Sequence, residues 1–349
     1  MRTLPITNPV WQEIADDVTT RVLADTPFLA RRVTTIPDVI VYRALRPGSK
    51  LRCLLVRTDA PVRPDRQFPL WNGLGITHLP LTIANTPLGK YVVLEQTIPA
   101  TEPICEAVLD SLCSALEGVS HAGQTVPVLV RELRVWAKFF ENFGHDGLSV
   151  EAQRGLFGEL LMLVRTLAPH AGMEVATRAW IGPTGAEHDF QHAAVGIEVK
   201  TSTSAGTVRI ASEGQLDDNG LNALYLAVLH LRSLASGGTT LPELVGEARA
   251  LADTATGSTA ELDHRLKQAG YLDAHAPKYE DGWAVQSTDI YRVAGDFPRL
   301  ARSALPPAIE KVQFTLSLNA CGPYETTIAN LQSTIASSWM PPTTPSNER

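Results

Sequence analysis

The chain has 349 residues, 44% apolar and 19% charged, with mean hydropathy −0.01 and net charge −7. This is the composition of a globular protein long enough for two domains, and no apolar run reaches the ~18 residues needed to cross a bilayer. The start, MRTLPITNPVWQEIADD, lacks the apolar stretch of a secretory signal. Cys53, Cys105, Cys113 and Cys321 share no CxxC spacing and do not pair with histidines at zinc-ligand intervals. They therefore read as reduced thiols of a cytoplasmic protein.

In chain order, a first helix is expected over roughly Pro9 to Leu23. VIVYRAL and KLRCLLVRT follow as strands around the turn RPGS. LPLTIANT and GKYVVLEQT make two more, and CEAVLDSLCSALEGV an amphipathic helix. Nine basic residues lie between Phe28 and Arg66: Arg31, Arg32, Arg43, Arg46, Lys50, Arg52, Arg57, Arg63 and Arg66. Asp38, Asp59 and Asp65 are the acids among them, so the stretch is locally positive in an acidic chain. That asymmetry fits a basic face for phosphates, or an ordinary arginine-rich strand surface.

TVPVLVRELRVWAKFFENF is a second amphipathic helix. Leu129, Leu133, Trp136, Phe139 and Phe140 form one side, and Arg131, Arg134 and Lys138 another. The run Gly144-His145-Asp146-Gly147 stops it and offers a domain break. Ser149 then caps VEAQRGLFGELLMLVRTLA, whose core stripe is Leu156, Leu160, Leu163 and Leu167. Glu159 falls on the apolar side of this helix, beside Gly155 and Gly158, which leave room for another backbone. Pro169 is expected to end it.

HDFQHAAVGIEVKTST reads as a hairpin: a strand around Asp189, a turn near Val195-Gly196 and a strand from Ile197 to Thr201. TVRIAS is a short strand, EGQLDDNG a turn or helical segment, and LNALYLAVLHL an apolar central strand. Helices PELVGEARALAD and TAELDHRLKQAG, strands WAVQSTDIYRV and KVQFTLSLNAC, and a helix ETTIANLQSTIASSW complete the pattern. The tail PPTTPSNER is expected to be disordered. The domains are set at 1–120 for an α+β module that binds DNA or a partner, 121–340 for an α/β domain, and 341–349 for the tail.

Alternation along a strand turns Glu198 and Lys200 to one side and Ile197 and Val199 to the other. Asp189, on the neighbouring strand, can lie across from Glu198. Two carboxylates brought this close repel unless a cation lies between them, and hard oxygen ligands suit Mg²⁺ or Mn²⁺. The Val199 carbonyl could add a ligand, and Glu159 could complete the outer shell or hold a second ion. Lys200 could orient a water and neutralise charge on a phosphate in the transition state. This is the chemistry of a metal-dependent nuclease. A bland reading stands beside it: Glu198 and Lys200 as an ion pair on a solvated face, and Glu159 bridged to Arg165 or Arg178. His188 and His192 flank the aspartate and read as strand residues. Gly73 and Gly75 lack the lysine and the strand-to-helix step of a phosphate loop, and no nucleophile elbow supports Ser-His-Asp catalysis.

The order helix with Glu159, strand with Asp189, turn, strand with Glu198-Val199-Lys200 resembles the PD-(D/E)XK phosphodiesterase superfamily, the restriction-endonuclease-like fold. More narrowly, GLFGELLML, WIGPTGAEHDF and IEVKTST followed by QL resemble a bacterial family grouped with these proteins, over most of the chain. The resemblance implies a mixed α/β central sheet with helices on both faces and a Mg²⁺-dependent DNA endonuclease of a restriction or phage-defence system. It carries metal binding to Asp189 and Glu198, catalysis to Lys200 and the helix acid to Glu159. Gln215 matches the glutamine that some exonuclease-like members place after the third core strand, whereas Asn219 stands where their tyrosine is expected. His188 replaces the proline of the motif, and Thr201 and Ser202 stand where phosphate contacts are possible. The partners implied are DNA, a second copy of the chain, or an ATPase or methyltransferase of a defence operon. A catalytically inactive DNA-binding or scaffold subunit is the rival reading.

Overall fold

The computed structural model describes residues 11–339 except 12, 15, 17–27, 35–37, 47, 50, 59, 70–72, 84–85, 99–101, 204–205, 235, 256–257 and 310–311. Of the expected first helix only 11, 13, 14 and 16 are described, and they are helical. The tail 341–349 lies outside the described residues, as do Pro47 and Lys50. The chain divides into two compact units, Met1–His145 and Asp146–Arg349. The division falls at the Gly144–Gly147 stop, not at 120/121, because the second long helix packs with the first.

The N-terminal unit is built on a five-stranded antiparallel sheet in the order β1-β2-β3-β5-β4. Its strands are β1 (Leu29–Arg32), β2 (Val41–Leu45), β3 (Arg52–Arg57), β4 (Leu74–Leu81) and β5 (Gly89–Gln96). β4 lies earlier than the expected LPLTIANT and pairs with β5 along its whole length, Leu74 opposite Gln96 and Leu81 opposite Gly89. Two helices follow, α1 (Glu102–Glu117) and α2 (Thr125–Phe143). β2 is buried at every position because both sheet faces are covered. Tyr42, Ala44, Cys53, Leu55, Tyr91 and Val93 pack together on one face.

On the other face Arg43 and Arg52 meet α1. Arg43 donates to Asp110 at 2.6 Å, and Arg52 pairs with Glu106, both side chains almost wholly buried. Arg46 forks onto Glu95, and Arg31 pairs with Glu13. Among the described residues, at least four of the cations expected on a basic face are therefore engaged by acids within the unit. Strand alternation sends Arg43 and Arg52 inward, where burial demands a partner. α2 buries Leu129, Leu133, Trp136, Phe139 and Phe140, the stripe its spacing predicts.

The second unit centres on a sheet ordered β10-β11-β9-β7-β6, with β13 also on β11. Its strands are β6 (Phe190–His192), β7 (Val195–Ser202), β9 (Ala223–Leu234), β10 (Thr239–Thr240), β11 (Gly282–Arg292) and β13 (Glu325–Thr326). β7 and β9 are parallel, and their crossover contains β8 (Thr207–Ile210). β8 pairs with β12 (Phe314–Ser317) as a separate ribbon. The expected strand through Cys321 stops at Ser317 and continues as a 3-10 helix.

The helices of this unit are α3 (Val150–Leu161), α4 (Met173–Ala179), α5 (Leu241–Asp253), α6 (Ser258–Gln268) and α7 (Ile328–Ser338). Ser149 caps α3 through its hydroxyl, which accepts from Ala152 N–H at 3.2 Å. The helix does not end at Pro169. A π-helical turn over Met162–Leu167 carries it through a last turn, Ala168–Ala171, that contains the proline. The widened turn lies where the ring would meet the carbonyl of a regular helix. α3 packs on β7 and α5, on the face of Val199 and Thr201. The face of Glu198 and Lys200 continues through Leu226 and Val228 to the ribbon residues Val208, Ile210 and Leu316. The layer on that face is the β-ribbon together with the 3-10 segments that carry Leu216, Leu318 and Cys321, within a mixed α/β unit of sheets and flanking helices.

Candidate active site

The hairpin that presents the acids is turned by Ala193 and Ala194, both left-handed at φ 46° and 61°. The turn therefore comes two residues before the expected Val195-Gly196. Left-handed backbone is unfavourable for alanine, and two N–H groups converging on the Ala194 carbonyl hold it, from Asn222 at 2.7 Å and Ala223 at 3.3 Å.

Asp189 stands just before β6, held on three sides. Its carbonyl accepts the N–H groups of Ile181 and Gly182, both at 2.9 Å. Its Oδ2 accepts the Val199 N–H at 2.7 Å. A Cβ at Gly182 would fall 2.8 Å from Asp189 Oδ1, so only glycine leaves the carboxylate its place. With Phe190 opposite Ile197, Asp189 lies across from Glu198, as expected.

Glu198 has no exposed side-chain surface. One oxygen, Oε1, takes Lys200 Nζ at 2.6 Å, and Oε2 is buried with no hydrogen-bond partner among the described residues. The pair is therefore internal rather than a solvated surface bridge. Lys200 Nζ also donates to Gln215 Oε1 at 3.1 Å, and the same oxygen accepts Ala211 N–H at 2.7 Å. Gln215 thus both pins the turn at Ala211 and aims the lysine.

Glu159 bonds neither Arg165 nor Arg178, which pair with Glu247 and Glu174. Instead its Oε2 accepts the indole N–H of Trp180 at 2.7 Å. Trp180 is fully buried and bridges to Phe190 beside the aspartate. No role follows for Trp180 from its place in WIGPTG, because the contact joins residues 21 apart on separate elements. Gly158, next to the acid, permits the helix's approach: a Cβ there would lie 2.3 Å from Thr201 Cγ2. Gly155 has open space around it. Thr201 turns its methyl to α3, and Ser202 is buried. His188 is buried ahead of the strand, and His192 is exposed with its ring against Trp339, 5.8 Å away.

The electrostatics bind the set together. Burial, then the charge of Asp189, push Glu159 up to about 8. Burial also raises Asp189, against the pull of Lys200 and the Val199 N–H. Burial and then Asp189 lift Glu198 well above the carboxylate range. Burial works to discharge Lys200, but Glu198 and Asp189 outweigh it and hold the ammonium above its usual value.

Three acids brought together, Glu198 buried with an orphaned oxygen and Asp189 and Glu159 half-buried, with Asp189 raising the other two, have the donor chemistry of a hard divalent cation. They do not close into a full cage: among the described residues no three His, Cys, Asp or Glu groups are spaced to hold an ion. Asp189 and Glu198 are the acids the hairpin sets opposite each other, and Glu159 is tied to Trp180.

Residues 7–319 match the family described as "Putative PD-(D/E)XK family member, (DUF4420)". No curated protein and no solved structure matches the chain. No helix among the described residues is long and apolar enough to cross a membrane.

Proposed function

The chain belongs to this PD-(D/E)XK family, and on that premise we propose that it is a metal-dependent phosphodiesterase that hydrolyses DNA. In this reading it works in the cytoplasm as an endonuclease of a bacterial restriction or phage-defence system. The observation that carries the proposal is the convergence of Asp189 and Glu198 across one hairpin with Lys200 beside them, Glu198 keeping one buried oxygen unpartnered.

Asp189, Glu198 and the Val199 carbonyl would hold Mg²⁺ or Mn²⁺, which lowers the pKa of water and neutralises phosphate oxygens when bound. The remaining work falls to the chain. Lys200, kept protonated by its acids, stabilises charge that develops on the phosphate rather than removing a proton. Gln215 fixes where that ammonium lies. The Val199 N–H fixes one Asp189 oxygen, leaving the other for a ligand. Glu159, anchored by Trp180 and raised to about 8, keeps its proton at neutral pH and lies behind the pair without leaving its helix. A DNA partner, a second copy of the chain, and an ATPase or methyltransferase of the same defence system complete the proposal.

The test is plasmid cleavage in Mg²⁺ or Mn²⁺ by the native chain, Lys200→Ala and Asp189→Asn. Each variant is expected to lose on the order of 100-fold or more of the rate, Lys200→Ala by removing a transition-state donor and Asp189→Asn by removing a metal-holding carboxylate. Equal cleavage by the variants would overturn the assignment. DNA binding without cleavage and without calorimetric Mn²⁺ uptake would identify the scaffold reading instead.

A further inference from the structure

α2 has a second face. Residues 126, 127, 130, 131, 134, 135 and 138 recur at helical steps away from the buried stripe and line a groove of about 940 Å³ within the N-terminal unit. Its floor is apolar: Val62 on one wall, and Val126, Val130 and Val135 on the helix. Val135 is 48% exposed, a large apolar side chain left to solvent. The rim is cationic, formed by Arg66, Arg131, Arg134 and Lys138. Arg131, itself exposed, meets the half-buried Glu132 at 3.4 Å, a long and weak contact. Arg66, Arg134 and Lys138 form no ion pair among the described residues.

We propose that this groove docks an acidic amphipathic peptide segment of a partner protein, its apolar side chains on the valines and its carboxylates on the rim. Charge complementarity selects the occupant: four cations surround the groove in a chain of net charge −7, and no acid lines it. The floor distinguishes peptide from nucleic acid. Single strands dock by stacking bases on aromatic faces, and no lining residue is aromatic. Duplex phosphates are met by cations and polar donors and have no use for a row of valines. Val126 to Lys138 spans about 18 Å of helix axis, room for about three turns of a helix laid alongside.

The test is selection from a random peptide display library on the full-length protein, followed by anisotropy with the synthesised winners. Enriched peptides are expected to set Leu, Ile or Phe at three- and four-residue steps among Asp and Glu. Their affinity should fall about tenfold or more in Arg134→Glu/Lys138→Glu and in Val135→Asp. All three positions are exposed, and circular dichroism checks that each variant is folded. A winner set without acids, or binding unchanged in the variants, overturns the proposal. So does an oligonucleotide or a second copy of the chain that binds through the same residues when no acidic peptide does. None of these outcomes depends on phosphodiesterase activity.

Discussion

Glu159 sets a pH dependence that can be measured without any substrate. Its carboxyl ordinarily titrates at 4.5 and is pushed up to about 8 by burial and by Asp189. A carboxyl raised on folding holds its proton more tightly in the native state. Its stabilisation is therefore complete below the unfolded value and is lost as pH climbs through the folded one. Asp189 and Glu198 are shifted in the same direction, and Lys200, raised as well, keeps its charge across this window. Without added divalent ions the melting temperature should fall between about pH 5 and about pH 8. Glu159→Gln should flatten that slope, and Mn²⁺ should raise the melting temperature more at the upper end than at the lower. A melting temperature that climbs with pH over this range would contradict the assignment of these shifts.

At the scale of elements, two places join local backbone to the site. The Ala193–Ala194 turn holds two alanines where Asn-Gly is the favoured pair. Ala194→Gly should relieve left-handed strain of about 1 kcal/mol and raise the melting temperature by roughly 2–4 °C. Gly158→Ala gains helix propensity but drives a methyl into Thr201 Cγ2. It should cost about 1–3 kcal/mol, much of it recovered by adding Thr201→Ser, which removes the obstructing methyl. A denaturant series on the two single variants and the double tests the pairing. These elements also show what was readable beforehand. The Leu156-Leu160-Leu163-Leu167 stripe and the Glu198/Lys200 face follow from local periodicity, and the structure has both. The turn was displaced because nothing local marks two alanines as a turn; the Asn222 and Ala223 bonds that hold it come from a strand edge nearly thirty residues on. The π-turn has no local signature, because a proline in sequence signals a stop whether or not the helix widens before it. Trp180's hold on Glu159 depends on a meeting of elements that no spacing rule describes.

The whole molecule is two units with their own cores, and composition misled about one of them. A locally positive run looks the same whether its arginines face solvent or the core, and here Arg43 and Arg52 face α1. Arg52→Met should therefore act as a core mutation, destabilising the fold by about 3–5 kcal/mol because it removes the cation that the buried Glu106 pairs with. Restoring neutrality with Glu106→Leu should return much of that loss. Hydrogen exchange would locate the effect: protection should fall in peptides of β3 and α1. If Arg52→Met lowered DNA affinity at unchanged stability, the arginine would belong to a binding surface after all.

The bond from the Trp180 indole to Glu159 has an optical consequence. A buried ring whose N–H end rests on an ionisable carboxyl feels every change of that group's charge as a change of local field. Absorbance and emission of this one chromophore should follow proton loss from Glu159, and a Trp180→Phe subtraction separates it from the chain's other five tryptophans. The protein thus carries its own spectroscopic gauge of how its acids are charged.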